Sequence, residues 1–173
     1  MRCFIGIPLP EDVRRELVKA QACFNKVDAR MSIVSLDNLH ITLEFLGNVD
    51  DVNKIAESLV NVKFKPFKAS LKNLSFFPKQ DYIKVVHSPV VKGKSELISL
   101  YELIISSLSL ERDERFSPHA TLARVNFVKS TNALSRACFD VKFEKEFLVD
   151  SFNLYTSKLT PNGPVYTIIR SFK

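Results

Sequence analysis

Apolar positions along the chain change period several times, and each change marks an element. Residues 2–8, RCFIGIP, alternate, with Cys3, Ile5 and Ile7 on one side, as in a half-buried strand. A helix is predicted from about Pro10. Pro10, Glu11 and Asp12 suit its first turn, and Val13, Leu17, Ala20 and Phe24 make one apolar stripe. Alternation returns in HITLEFLG, residues 40–47, with His40, Thr42 and Glu44 on one face and Ile41, Leu43 and Phe45 on the other. Asp50 opens a second helical pattern through Val52, Ile55, Ala56, Leu59 and Val60. Strands are predicted around residues 67–77 and 81–87, then a longer helix from about 92 to 110 carrying Leu97, Leu100, Tyr101, Ile104 and Leu108. HATLARV, at 119–125, reads as a strand. Ser130 suits the cap of a short helix holding Leu134, Ala137 and Cys138. Two strands close the chain, around 151–158 and 165–172, joined by the turn signal TPNGP at 160–164.

This order repeats. His119 follows His40 by 79 residues. The same offset aligns Thr42 with Thr121, Leu43 with Leu122, Ile55 with Leu134, and Val62-Lys63-Phe64 with Val141-Lys142-Phe143. One residue of slippage then aligns Asn73-Leu74 with Asn153-Leu154. A fixed offset across strand, helix and strand indicates an internal duplication, with about 40–90 matching about 119–172. The expected fold is α+β: one bilobal domain over residues 1–173, with two antiparallel sheets, outer helices, and a central cleft carrying the paired H-x-T strands.

Composition narrows the chemistry. The 173 residues are 46% hydrophobic, enough for a core without staples. Cys3, Cys23 and Cys138 form no C-x-x-C pair, so buried thiols in a reducing compartment are expected, not a disulfide framework or zinc site. The four glycines write no nucleotide-binding fingerprint and no G-x-S-x-G elbow. No apolar run reaches the roughly 20 residues of a membrane span, and the N-terminus reads as strand and helix, so a cytoplasmic protein is expected. Net charge is +6, and residues 61–95 hold eight lysines against one acid, Asp81, a segment that can supply a field for a polyanion.

Two of the three histidines head the same tetrapeptide pattern, H-x-T-L. In a strand, residues i and i+2 lie on one side, about 6.5–7 Å apart. An imidazole and a hydroxyl so placed can touch one small anion, and two such strands bring two of each to it. Near neutral pH a histidine pair can hold one neutral and one protonated ring. That combination serves phosphodiester cleavage, one ring accepting a proton from water and the other donating one to the departing oxygen. Thr42 and Thr121 would bond phosphate oxygens, and Arg124 could add positive charge to the transition state. No Asp or Glu is spaced to complete a metal site with both histidines. His87 lies outside the H-x-T pattern and suits a structural or rim position. Glu44 could orient a ring or face water.

HITLEFLG at 40–47 and SPHATLAR at 117–124 resemble the paired motifs of the two-histidine (2H) phosphoesterase superfamily, closest to its RNA 2',3'-cyclic phosphodiesterase branch, historically called 2'-5' RNA ligases. The opening FIGIPLPEDVRREL and the tail VYTIIRSF are similar to that branch too. The resemblance implies hydrolysis of RNA 2',3'-cyclic phosphate ends to 2'-phosphates without metal or cofactor, with a 2'-5' ligation as the back-reaction. It implies His40, Thr42, His119, Thr121 and Arg124 as the phosphate-contacting set. We assign His40 as proton donor and His119 as proton acceptor, an order that near-symmetry leaves open to reversal. Phe45, Phe77 and Tyr82 are candidates for base stacking and equally for packing. RNA with a cyclic phosphate end, tRNA fragments included, is the expected partner of a monomer that needs no membrane. A non-catalytic RNA-end binding module and a phosphodiesterase for small cyclic nucleotides are the competing readings.

Overall fold

Strand β1 (Arg2–Pro8) and helix α1 (Glu11–Gln21) follow the alternating and helical patterns that open the chain. The computed structural model describes residues 1–161 and 163–173. After α1, residues Ala22–Lys26 tighten into a 3₁₀ turn, so Phe24 is buried from that turn and not from the helix. Strand β2 (Ala29–Ile33) leads to β3 (His40–Asn48), and α2 (Val52–Leu59) is capped by the Asp51 side chain, which accepts from the Lys54 amide at 3.1 Å. The segment expected as one strand at 67–77 divides into β4 (Phe67–Lys72) and β5 (Ser75–Lys79) at Asn73, a residue with φ of 54°. Strand β6 (Tyr82–Lys92) then runs into α3 (Lys94–Ser107). Gly93 has φ of 73°, and a side chain there would come within 2.7 Å of the Lys68 carbonyl oxygen, which is why glycine occupies this junction. The remaining elements are β7 (His119–Val128), α4 (Thr131–Phe139), β8 (Glu144–Val149), β9 (Phe152–Thr160) and β10 (Gly163–Phe172). Ser130 caps α4 as predicted, accepting from the Ala133 amide at 3.2 Å. Asn162 of the expected turn lies outside the described residues.

Among the described residues the strands form one antiparallel path, β10-β9-β1-β3-β7-β6-β4-β8, with β2 added to β7 and β5 to β6. The two sheets expected from the repeat therefore meet. Their junction is the pair Ile41–Ala120 between β3 and β7. On one side β1 lies between β3 and β9, and on the other β6 lies between β7 and β5. Strands β2 and β8, which the alternation did not reveal, sit at edges. Among the described residues β2 pairs with β7 alone and β8 with β4 alone, so each needs few apolar side chains.

The helices cover one face of this sheet. Val13, Leu17 and Ala20 of α1, Leu59 of α2, Leu97, Leu100 and Ile104 of α3, and Leu134 of α4 join Ile5, Ile7, Ile41, Leu43, Ala120 and Leu122 in one core. The opposite face of β3 and β7 is left uncovered by helices, and there His40, Thr42, His119 and Thr121 are half-buried. All three cysteines are buried free thiols, with the sulfurs of Cys23 and Cys138 3.7 Å apart.

Ile41 is fully buried at the strand junction, so truncating it removes core volume where the two halves meet. Ile41→Ala is expected to lower unfolding free energy by about 2–5 kcal/mol, measured by urea denaturation.

Candidate active site

The register between β3 and β7 builds the site. Ile41 faces Ala120 in an antiparallel pair, so His40 falls opposite Thr121, and Thr42 opposite His119. All four side chains project away from the core because Ile41, Leu43, Ala120 and Leu122 project into it. The histidines occupy one diagonal of this quartet and the threonines the other. Diagonal neighbours in an antiparallel pair lie roughly 7–8 Å apart at the backbone, a spacing across which two rings can reach one small anion.

Each ring is held the same way. Nδ1 of His40 donates to the Asn38 carbonyl at 2.7 Å, and Nδ1 of His119 donates to the Ser117 carbonyl at 2.7 Å. A carbonyl only accepts, so both neutral rings carry their proton on Nδ1 and leave Nε2 with a lone pair. Nε2 of His40 accepts from the Thr42 hydroxyl at 2.9 Å. Burial pushes the His40 imidazole below its ordinary proton affinity, the Asn38 carbonyl opposes that, and the charge on His119 adds to it. His119 is also lowered, by burial first, against the Ser117 carbonyl and with the positive charge of Arg124.

Strict alternation would turn Arg124 away from Thr121, but the strand is bulged. β6 pairs His87 with Thr121 and Val86 with Ala123, leaving Leu122 as an extra residue on β7. Leu122 and Ala123 are therefore both buried, and Arg124 emerges exposed on the histidine face. β3 is bulged at the matching place. β1 pairs Gly6 with Thr42 and Ile5 with Glu44, so Leu43 is the extra residue. This corrects the alternation read from sequence: Phe45, not Glu44, lies on the histidine face. Phe45 is 63% exposed, with its ring 6.1 Å from that of Phe4, which in turn lies 4.9 Å from His40.

Several site neighbours escaped the sequence reading. Phe4, Tyr166 and Tyr155 surround His40, with ring centroids at 4.9, 5.4 and 6.2 Å. Gly6 lets that ring lie close to β1, since a Cβ there would be 3.2 Å from Cδ2 of His40 and 2.8 Å from the Ile41 carbonyl oxygen. Phe4 and Gly6 alternate against Cys3, Ile5 and Ile7, so the signal was present as the open face of β1. His87 occupies on β6 the place that Gly6 has on β1. It is 3% exposed and neither ring nitrogen has a hydrogen-bond partner among the described residues. Its ring stacks on Phe77 at 3.9 Å and meets His119 at 4.9 Å. Phe77 also touches His119, edge-on, at 4.9 Å. Tyr82 is not brought to the rings. It opens β6 beside the hairpin turn, 54% exposed, with the Lys84 ammonium 4.9 Å from its ring centre.

The lysine-rich segment is partly neutralised by acids of β8 and by its own Asp81. Lys68 and Lys92 both pair with Glu146, Lys72 pairs with Glu144 at 3.0 Å, and Lys79 pairs with Asp81 at 3.3 Å. Sequence proximity alone hid this, because β8 reaches β4 only through the fold. Among the described residues no group of three or more His, Cys, Asp or Glu side chains is placed to hold a metal ion. No helix there is long and apolar enough to cross a membrane.

Two imidazoles, two hydroxyls and a guanidinium thus share one open face of the sheet, with helices behind it. The LigT-like phosphoesterase family model matches residues 7–87 and 90–166, and the chain belongs to that family of enzymes. It is 34% identical to the RNA 2',3'-cyclic phosphodiesterase of Methanocaldococcus jannaschii, covering 99% of this chain and 100% of that one. It is 32% identical to the protein of the same name from Thermotoga maritima, over 98% and 93% of the two chains. A solved structure from Thermus thermophilus superposes with a TM-score of 0.80 at 28% identity, over 99% and 97%. Escherichia coli LigT shares the fold, with a TM-score of 0.73.

Burial, with His119 adding, pushes the His87 imidazole down to about 3. The folded ring then stays neutral where the unfolded chain takes up a proton, so its contribution to stability is complete above about pH 6.5 and is lost as pH falls toward 3. Between pH 6.5 and pH 5 His87 should account for about 2 kcal/mol of lost stability. Urea denaturation at both values should show the wild type losing that much more than His87→Phe; equal losses would contradict a buried neutral ring.

Proposed function

We propose that this protein hydrolyses the 2',3'-cyclic phosphate ends of RNA to 2'-phosphates, using His119 as base and His40 as acid. The observation that carries the reading is the Ile41–Ala120 pair, whose register brings the two H-x-T faces side by side, at a spacing that suits one small anion. The names of its relatives supply the substrate class. The alignable repeat and the matching bulges at Leu43 and Leu122 support a single bilobal domain that arose by duplication.

In the reaction, Nε2 of His119 takes a proton from water as the oxygen attacks phosphorus. The bond from phosphorus to the 3' oxygen breaks, and protonated His40 delivers its proton to that oxygen. The product keeps its phosphate on the 2' oxygen. The positive charge of Arg124 favours neutral His119, the form a base needs. Thr42, Thr121 and Arg124 hold the non-bridging oxygens as charge grows on them. Run backwards with an RNA 5'-hydroxyl in place of water, the same groups would form a 2'-5' linkage. Phe45 stacks on the terminal base, a reading supported by its exposure beside Phe4 on the histidine face.

Incubation with an oligonucleotide ending in a 2',3'-cyclic phosphate, in EDTA, tests this directly. Ring opening to a 2'-phosphate is expected, and its absence rejects the reading. His40→Ala and His119→Ala should each lower kcat by about 10²–10⁴ while the oligonucleotide still binds. A change in affinity alone, with turnover unaltered, would refute acid–base roles for these rings.

A further inference from the structure

The open face of β7 does not end at Arg124. β2 pairs Ser32 with Arg124, Met31 with Val125 and Arg30 with Phe127, leaving Asn126 as an extra residue on β7. The bulge keeps Asn126 and Phe127 both exposed while Val125 is buried. Asn126 donates to the Ser32 hydroxyl at 3.2 Å, which fixes these side chains on the face that Arg124 shares with Thr121 and His119. At the far end the guanidinium of Arg30 lies 5.7 Å from the ring centre of Phe127, and that ring is 47% exposed.

From the phosphate quartet outward, one strand therefore presents imidazole, hydroxyl, guanidinium, amide, and finally an aromatic ring under a cation. Cations for the backbone alternating with an exposed ring for a base is how proteins track single-stranded nucleic acid. From His119 to Phe127 is roughly 25 Å of strand, further than one nucleoside extends from its phosphate. A mononucleotide held between His40 and His119 would leave Arg30 and Phe127 untouched. A longer chain would meet them.

We propose that the β2–β7 edge, through Arg30 and Phe127, is a binding track for the RNA chain upstream of the cyclic phosphate, with a base stacked on Phe127 and a phosphate on Arg30. This rests on the cyclic phosphodiesterase reading and adds that the substrate is an oligonucleotide, not a free cyclic nucleotide. Neither residue takes part in the proton transfers.

The test compares two substrates, a nucleoside 2',3'-cyclic monophosphate and a single-stranded oligonucleotide of about ten residues with the same end. Arg30→Ala with Phe127→Ala should lower kcat/KM for the oligonucleotide by about 5- to 100-fold, through KM, and leave the mononucleotide at its wild-type value. Arg30→Ala alone should also reduce the salt dependence of oligonucleotide binding by about one phosphate contact. Equal losses on both substrates, or no loss on either, would overturn the track. If the wild type opens neither substrate, the catalytic reading fails by itself. Fluorescence anisotropy of the oligonucleotide on wild type and variant then still decides the track, unchanged affinity rejecting it. Should the double variant not fold, Arg30→Gln carries the same comparison alone.

Discussion

The antiparallel contact between β3 and β7 sets everything else in place. Among the described residues it runs through one pair, Ile41 with Ala120, both fully buried. A slip of one residue would turn one H-x-T face into the core, because side chains alternate with a period of two. A slip of two would keep the faces and move His40 away from Thr121. The register is held by apolar packing beneath it, where Ile41, Leu43, Ala120 and Leu122 share one core with the helices. The hydrophobic core thus helps to fix the geometry of the polar quartet above it, together with the backbone pairing of Ile41 and Ala120.

The bulges at Leu43 and Leu122 carry the second constraint. Each adds one residue to a strand and exchanges the faces of the residues that follow, as far as the next bulge, at Leu46 on β3 and Asn126 on β7. Without them Arg124 would point into the helices, a costly burial for a guanidinium, and Glu44 would point into the cleft. A carboxylate there would repel a phosphate at close range, where low dielectric strengthens the effect. The bulges place a cation on the open face of β7 and an aromatic ring on that of β3, and they turn Glu44 away.

This explains what could be read in the sequence and what could not. The two histidines, their threonines and the strand–helix order were visible because local periodicity dictates them. Arg124 was named from its place near the motif, yet alternation gave no reason for its direction, since a bulge is a property of paired strands. Glu44 and Phe45 were set on exchanged faces for the same cause. From sequence His87 suits a structural or rim position; the pairing of β6 with β7 brings its ring against His119. Edge strands β2 and β8 escaped because an edge needs little apolar alternation. The acids that quench Lys68, Lys72 and Lys92 arrive on β8 from over 50 residues away, beyond any window of local pattern.

The two halves share backbone geometry and differ in chemistry. Pro8 faces His40 and Pro89 faces His119, and the next site-facing residues are Gly6 and His87. One imidazole therefore sits among Phe4, Tyr155 and Tyr166, with glycine leaving room beside it. The other sits against a buried neutral imidazole and Phe77, near the charge of Arg124. A perfectly symmetric cleft would bind a cyclic phosphate in two orientations equally, and each ring would be acid half the time. A cyclic phosphate with a nucleoside on one side is itself asymmetric, so a site that differs in the same sense favours one orientation and one division of labour. The aromatic wall lies with β1, β9 and β10, and the guanidinium lies with β7. On the proposed reading, base and phosphate oxygens have opposite walls to prefer, and two halves alike in backbone and unlike in chemistry suit a directional reaction.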